Sequence, residues 1–354
     1  MRYFSLGMLL MAVTPTMLRA ETVLYVSCAA EQQIAVLKLS DDGTLTEIER
    51  VTVDGAPGSM TVDPSRKFLF VSLRTSMSIG SFAIDSATGK LTPINKTRLM
   101  EGANAAFVAT DHTGRWLISA SYLGARVVVH ALEPDGRIAA EPTQVAETAK
   151  TAHCVVISPS NKTVYVPHVA PNAVFQFRFD PVTGKLEDFG RAAGGREGAG
   201  PRHIALHPSG KFAFTSDESG SSITAYAIDA DEKLSPIETV STLPVDYKEK
   251  NTTAEVKVHP SGKFAWVSNR GHDSLAGFTI DAASGKPTAL GQTPTEKTPR
   301  SFEIDPSGKY VFGAGEGSGV LQAYRLDPTS GTLTPTQKYP LGKSLTWVKA
   351  VELP

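Results

Sequence analysis

After residue 21 the chain alternates short hydrophobic runs with short polar breaks, and one phrase of run, break and run keeps returning. The breaks read Asp63-Pro64-Ser65-Arg66-Lys67, Asp111-His112-Thr113-Gly114-Arg115 and Ser158-Pro159-Ser160-Asn161-Lys162. They continue as His207-Pro208-Ser209-Gly210-Lys211, His259-Pro260-Ser261-Gly262-Lys263 and Asp305-Pro306-Ser307-Gly308-Lys309, with successive starts 46 to 52 residues apart. A period of that length marks a repeat architecture. Within one copy, residues 203–207, 212–216 and 223–228 read as strands, with a weaker fourth over 234–241. Turns rich in Gly, Pro, Asp and Ser separate them, which predicts four antiparallel strands per unit. No segment after the N-terminus carries a convincing helical period.

Four-stranded units at this spacing are propeller blades. Seven units begin near Val23, Phe68, Trp116, Thr163, Phe212, Phe264 and Tyr310. The chain enters on the second strand of a blade, 23–27, and ends on a first strand, 346–351. The predicted fold is therefore all-β: a seven-bladed β-propeller over residues 21–354, closed into a ring by pairing its N- and C-terminal strands. Closure removes edges that would template aggregation. An open β-solenoid fits less well, because its repeats are shorter and lack four-strand units.

Composition changes this picture in few places. The net charge is −1, with 35 basic and 36 acidic residues interspersed. Bulk charge therefore gives no hold on nucleic acid or an anionic membrane. Residues 1–20 stand apart: Arg2, an apolar stretch over 4–13, then a polar segment ending at Ala20. This reads as a signal peptide cut after Ala20, and predicts a periplasmic or secreted protein with no membrane attachment once processed. Cys28 and Cys154 fall in the first and third units and are expected as buried free thiols.

The ring geometry decides which distant residues can meet. First strands line the channel, and each runs antiparallel to the second strand, so first-strand starts and second-strand ends share one mouth. The starts offer His153, Arg202, His203, Glu255 and Arg300; the ends offer Arg74, Tyr122, Glu218 and Arg270. The opposite mouth offers only turn residues. Arginines crowded together are costly unless an anion or a paired acid meets them. They can fork onto a carboxylate or phosphate and can face a developing oxyanion. A carboxylate or imidazole beside them can activate water. There is no Gly-x-Ser-x-Gly, His-Glu-x-x-His or Cys-x-x-Cys motif. His203 and His207 would stand about 13 Å apart on a strand, too far to share a metal. His207 and His259 recur at one turn position, which points to a structural role. The glycine-rich run 313–319 lies between strands and reads as a blade turn, not a phosphate loop.

At these residues the chain resembles the seven-bladed propeller lactonase family, which includes propeller-type bacterial 6-phosphogluconolactonases and fungal carboxy-muconate cyclases. The resemblance covers nearly everything after residue 21. Its most specific stretches are Gly198-Ala199-Gly200-Pro201-Arg202-His203, Asp217-Glu218-Ser219-Gly220-Ser221-Ser222 and Ser268-Asn269-Arg270-Gly271-His272-Asp273-Ser274. Thr295-Glu296-Lys297-Thr298-Pro299-Arg300 and Ser121-Tyr122-Leu123-Gly124 also match. The family's proposed site, one His, two Arg and a Glu, falls on His153, Arg202, Arg270 and Glu218. The resemblance implies a lactone hydrolase that needs no metal and no cofactor. Its substrate would be a small anionic sugar-acid lactone, nominally 6-phosphogluconolactone. On that reading Arg202 and Arg270 hold the anion or oxyanion, and Glu218 or His153 activates water. Arg74, Tyr122, His203, Glu255 and Arg300 shape the pocket. A muconate-type cycloisomerase and a non-catalytic exported ligand-binding propeller are the competing readings.

Overall fold

The structure is a computed structural model that describes residues 21–354; the leader expected over residues 1–20 lies outside the described residues. Seven four-stranded antiparallel sheets form the blades of a closed ring. The inner strands of blades two to seven are Pro57–Val62, Ala105–Thr110, Val156–Ile157, Pro201–Leu206, Thr252–Val258 and Pro299–Ile304. The second strands of these blades begin at Phe68, Trp116, Thr163, Phe212, Phe264 and Tyr310, where the sequence pattern places them.

Blade one is assembled from both ends of the chain. Leu345–Glu352 is its inner strand and pairs with Thr22–Cys28, setting Thr22 opposite Glu352 and Val26 opposite Val348. The Leu353 N–H also donates to the Glu21 carbonyl at 2.7 Å.

Burial explains why these strands were readable. The second strand of blade five, Phe212–Asp217, is buried at every position, because neighbouring blades cover both its faces. The outer strand of blade seven, Leu333–Pro340, is exposed at most positions. Each blade therefore runs from a hydrophobic strand to a polar one, which is the alternation seen along the chain.

The recurring turn is a side-chain staple. In blade seven the Asp305 carboxylate accepts from the N–H groups of Ser307 at 3.0 Å and Tyr310 at 2.7 Å. Two blades replace this Asp with His. His207 Nδ1 accepts from the Ser209 N–H at 3.1 Å, and Nε2 donates to the Gly262 carbonyl of the next blade at 2.9 Å. His259 repeats this on Ser261 and Gly308. These histidines are structural ties between blades.

The phrase spans the turn from inner to second strand, so sequence units and blades are offset by one strand. Cys154 accordingly precedes the inner strand of blade four, not blade three; both cysteines are buried and free.

Six inner strands slip register near their starts: between Pro57 and Met60, Ala105 and Phe107, Pro201 and His203, Thr253 and Val256, Pro299 and Ser301, and, in blade one, Leu345 and Trp347. All six slips lie at the same mouth. Each seats an extra residue there and re-aims the side chains around it.

Candidate active site

The slip in blade five has a direct consequence. Arg202 and His203 are consecutive, and on a regular strand they would point to opposite faces. Across the bulge they touch: Arg202 Nη1 donates to His203 Nε2 at 3.0 Å and to the Ala254 carbonyl at 2.8 Å. Arg202 is 1 % exposed. Its Nε lies 3.6 Å from Glu218 Oε2, and neither atom has a hydrogen-bond partner. Glu218 follows the second strand of the same blade and is held by its own N–H, which donates to the Gly200 carbonyl at 2.7 Å. Its Oε1 accepts from Arg270 Nη2 at 2.8 Å, and that same nitrogen donates to the Thr253 carbonyl at 2.8 Å. One carboxylate thus stands between two guanidiniums.

Arg74, His153, Arg202 and Arg300 line one small cavity at the mouth, together with Ser59 and Trp347. Gly58 makes room for Arg74: a Cβ there would stand 3.1 Å from its Cδ. Arg74 Nε donates to the Asn104 side-chain oxygen at 3.3 Å, a neutral partner. Arg300 Nη1 lies 3.6 Å from Glu316 Oε2. Four arginines therefore face two carboxylates, Glu218 and Glu316. Burial first, and then Arg270 and Arg300, push the Arg202 pKa well down. Burial, and next Arg300, also lower the Arg74 pKa. A guanidinium does not surrender its proton in a protein, so an anion entering the cavity relieves that repulsion.

Behind Arg202 lies a buried row of three groups. Glu255 Oε1 is 2.9 Å from His203 Nδ1, and His203 Nε2 is 3.2 Å from His153 Nδ1. Tyr122 stands edge-on to His153, with ring centres 5.5 Å apart. Burial, and next the Arg202 charge, hold both imidazoles well below the usual histidine range. Both are neutral at neutral pH. Burial raises the Glu255 carboxyl.

All nine residues picked by their place in the repeat thus share one mouth, linked through direct contacts or the common cavity. Others were missed. Lys257 Nζ lies 3.4 Å from Glu303 and 3.9 Å from Glu255, and Lys349 Nζ is 3.5 Å from Glu303, continuing the polar lining down the channel. The signal was available, since Lys257 is two residues beyond Glu255 on one strand and so faces the same side. Trp347 and Lys349 follow the same rule on the closing strand. Glu316 occupies in blade seven the place Glu218 takes in blade five, each donating its N–H to the carbonyl just before the inner strand. Among the described residues no group of three His, Cys, Asp or Glu is arranged to hold a metal ion.

Comparison with known proteins gives a consistent outcome. A family profile described as "Lactonase, 7-bladed beta-propeller" matches residues 23–350. A 6-phosphogluconolactonase of Pectobacterium carotovorum is 32 % identical over 335 residues, covering 94 % of this chain and 99 % of that one. A 6-phosphogluconolactonase of Serratia proteamaculans is 32 % identical over 328 residues, covering 92 % and 98 %. The solved structure of the periplasmic gluconolactonase of Pseudomonas aeruginosa superposes with a TM-score of 0.86 at 24 % identity, covering 95 % of this chain and all of the other. That last likeness is one of fold.

Proposed function

The chain belongs to the seven-bladed β-propeller lactonase family, and from that premise we propose that it hydrolyses a small anionic sugar-acid lactone, with 6-phosphogluconolactone as the nominal substrate. The observation that carries this reading is the cavity itself: an excess of arginine charge beside a neutral imidazole. Glu218 has each oxygen turned to a guanidinium, which makes it the holder of Arg202 and Arg270. His153 lines the cavity and is the base.

In this mechanism Arg74 and Arg300 hold the substrate's anionic group. His153 takes a proton from water as the water oxygen bonds to the lactone carbonyl carbon. The carbonyl oxygen becomes an oxyanion facing Arg202, whose charge is in place beforehand. The intermediate then collapses, the ring C–O bond breaks, and the leaving alkoxide takes the proton back from His153. One water is consumed and one hydroxy acid formed.

The test follows acid release from a panel of sugar lactones, phosphorylated and plain, against the spontaneous rate. The protein is expected to accelerate opening of an anionic member, and Arg202→Ala to lower kcat/KM by roughly 100-fold or more. A histidine base must be unprotonated, and this one binds its proton weakly. Hence kcat/KM should stay level as pH falls through about 6.5 and drop only below it. In labelled water each acid product should gain one label; an unlabelled product would assign the site to a cycloisomerase. No acceleration of any lactone would overturn the reading. The stretch over residues 1–20 supports export as part of it, checked by fractionation and by the N-terminal sequence of the mature chain.

A further inference from the structure

His153 can act as a base only through a nitrogen that carries no proton, and the contacts behind it decide which nitrogen that is. Arg202 Nη1 can only donate, so His203 Nε2, 3.0 Å away, accepts and bears no hydrogen. A neutral imidazole has one N–H, so in His203 it is on Nδ1 and points to Glu255 Oε1 at 2.9 Å. His153 Nδ1 faces that same His203 Nε2 lone pair at 3.2 Å and must therefore donate. This leaves Nε2 as the unprotonated nitrogen of His153. We infer that Glu255 and His203 are positioning residues that fix His153 in its Nδ1–H form and so set Nε2 as the basic nitrogen of the cavity.

The surroundings are consistent with neutral rings throughout. His153 faces Arg202 and His203 of blade five, Arg300 of blade seven, Arg74 of blade two and Tyr122 of blade three. His203 faces Glu255 and Lys257 of blade six, with Phe107 and Trp347 packed against its ring. Every cation around the pair opposes a second proton on either imidazole. Glu255 Oε1 accepts from the His203 Nδ1–H and also from the Val256 N–H at 3.3 Å, so an amide here would keep an oxygen in that place. An apolar Leu instead removes the acceptor, leaves the Nδ1–H of His203 unpaired and weakens the preference for that tautomer.

The consequence for rate rests on the lactonase reading; the tautomer does not. The experiment is a long-range imidazole 1H–15N correlation on the full chain with labelled histidine, with His153→Gln used to assign its signals. His153 should carry its proton on Nδ1. In Glu255→Leu that signal should move toward the Nε2–H form. In the same variant kcat should fall roughly 10- to 100-fold with KM within about twofold, since general-base catalysis supplies about 10²–10⁴-fold. His203→Asn is the second variant, with the same expectation, and thermal melts establish that each is folded. A wild-type His153 protonated on Nε2, or an Nδ1–H signal unmoved in every folded variant, would overturn the inference. If the wild type opens no lactone, the proposed function falls while the nitrogen signals still decide this question.

Discussion

Arg202 and Asp217 are both buried charges, and the molecule treats them in opposite ways. Arg202 lies among more arginines than Glu218 and its neighbouring acids offset, and keeps its charge, so it remains available to an anion. Asp217 is fully buried and takes three hydroxyls instead: Thr215 donates to Oδ1 at 2.7 Å, and Ser222 and Thr224 donate to Oδ2 at 2.8 and 2.7 Å. Burial outweighs those bonds and lifts its carboxyl to about 7. Such an acid favours the folded state only while protonated. Its contribution is full below the unfolded value near 3.8, declines as pH rises, and is lost above about 7. Asp217→Asn keeps the shape and cannot ionise. Relative to wild type it should gain stability progressively between pH 4 and pH 7, by up to roughly 4 kcal/mol from the size of the shift. Denaturant unfolding at several pH values measures this; a difference independent of pH would show that Asp217 does not titrate in that window.

At the scale of elements, two devices position the site: the turn that staples neighbouring blades and the bulge that opens the inner strand of every blade but the fourth. The turn can be isolated by two glycines at equivalent places. Gly210 has φ +71° and nothing within 4 Å of where a Cβ would be. Gly262 has φ +74°, and its Cβ would lie 2.5 Å from His207 Nε2. Gly210→Ala should cost only the left-handed backbone, about 1–2 kcal/mol. Gly262→Ala should cost about 1 kcal/mol more, the worth of the His207 bond to the next blade. Equal losses in the two melts would remove the staple from the account. Such turns were legible in the sequence because they demand particular residues: Gly for the backbone, Asp or His for the cap. The second strands were legible for a similar reason, since burial on both faces leaves no polar positions in a run such as Phe264–Val267. The bulges were not. Arg202-His203 reads as two residues that alternation sends to opposite faces, and no residue type announces the slip that joins them. The nine mouth residues could be picked because strand ends need only topology. The row Glu255–His203–His153 needed distances.

The whole molecule depends on one joint. The inner strand of blade one comes from the C-terminus, and it brings both Trp347 at the cavity and Lys349 in the channel. Ring closure and site completion are therefore the same event. Leu345, Trp347, Val348, Val351 and Leu353 are all buried on this segment. At about 1.5–3 kcal/mol for each buried side chain they contribute on the order of 10 kcal/mol. That is comparable to the whole margin of about 5–15 kcal/mol by which domains are stable. Deleting residues 345–354 should abolish cooperative unfolding and expose the edge of Thr22–Cys28, giving aggregated protein on size exclusion. Loss of residues is not the cause in this argument; loss of closure is. A circular permutant separates the two. The ends meet at the Leu353–Glu21 hydrogen bond, so a short linker from 354 to 21 spans them. New ends can be opened beside Val245, which is 94 % exposed on the loop before the inner strand of blade six. This permutant keeps every strand pair and should melt cooperatively with lactonase activity retained. If it unfolds like the deletion, the order in which the chain lays down its blades, and not the closed ring, is what holds the site together.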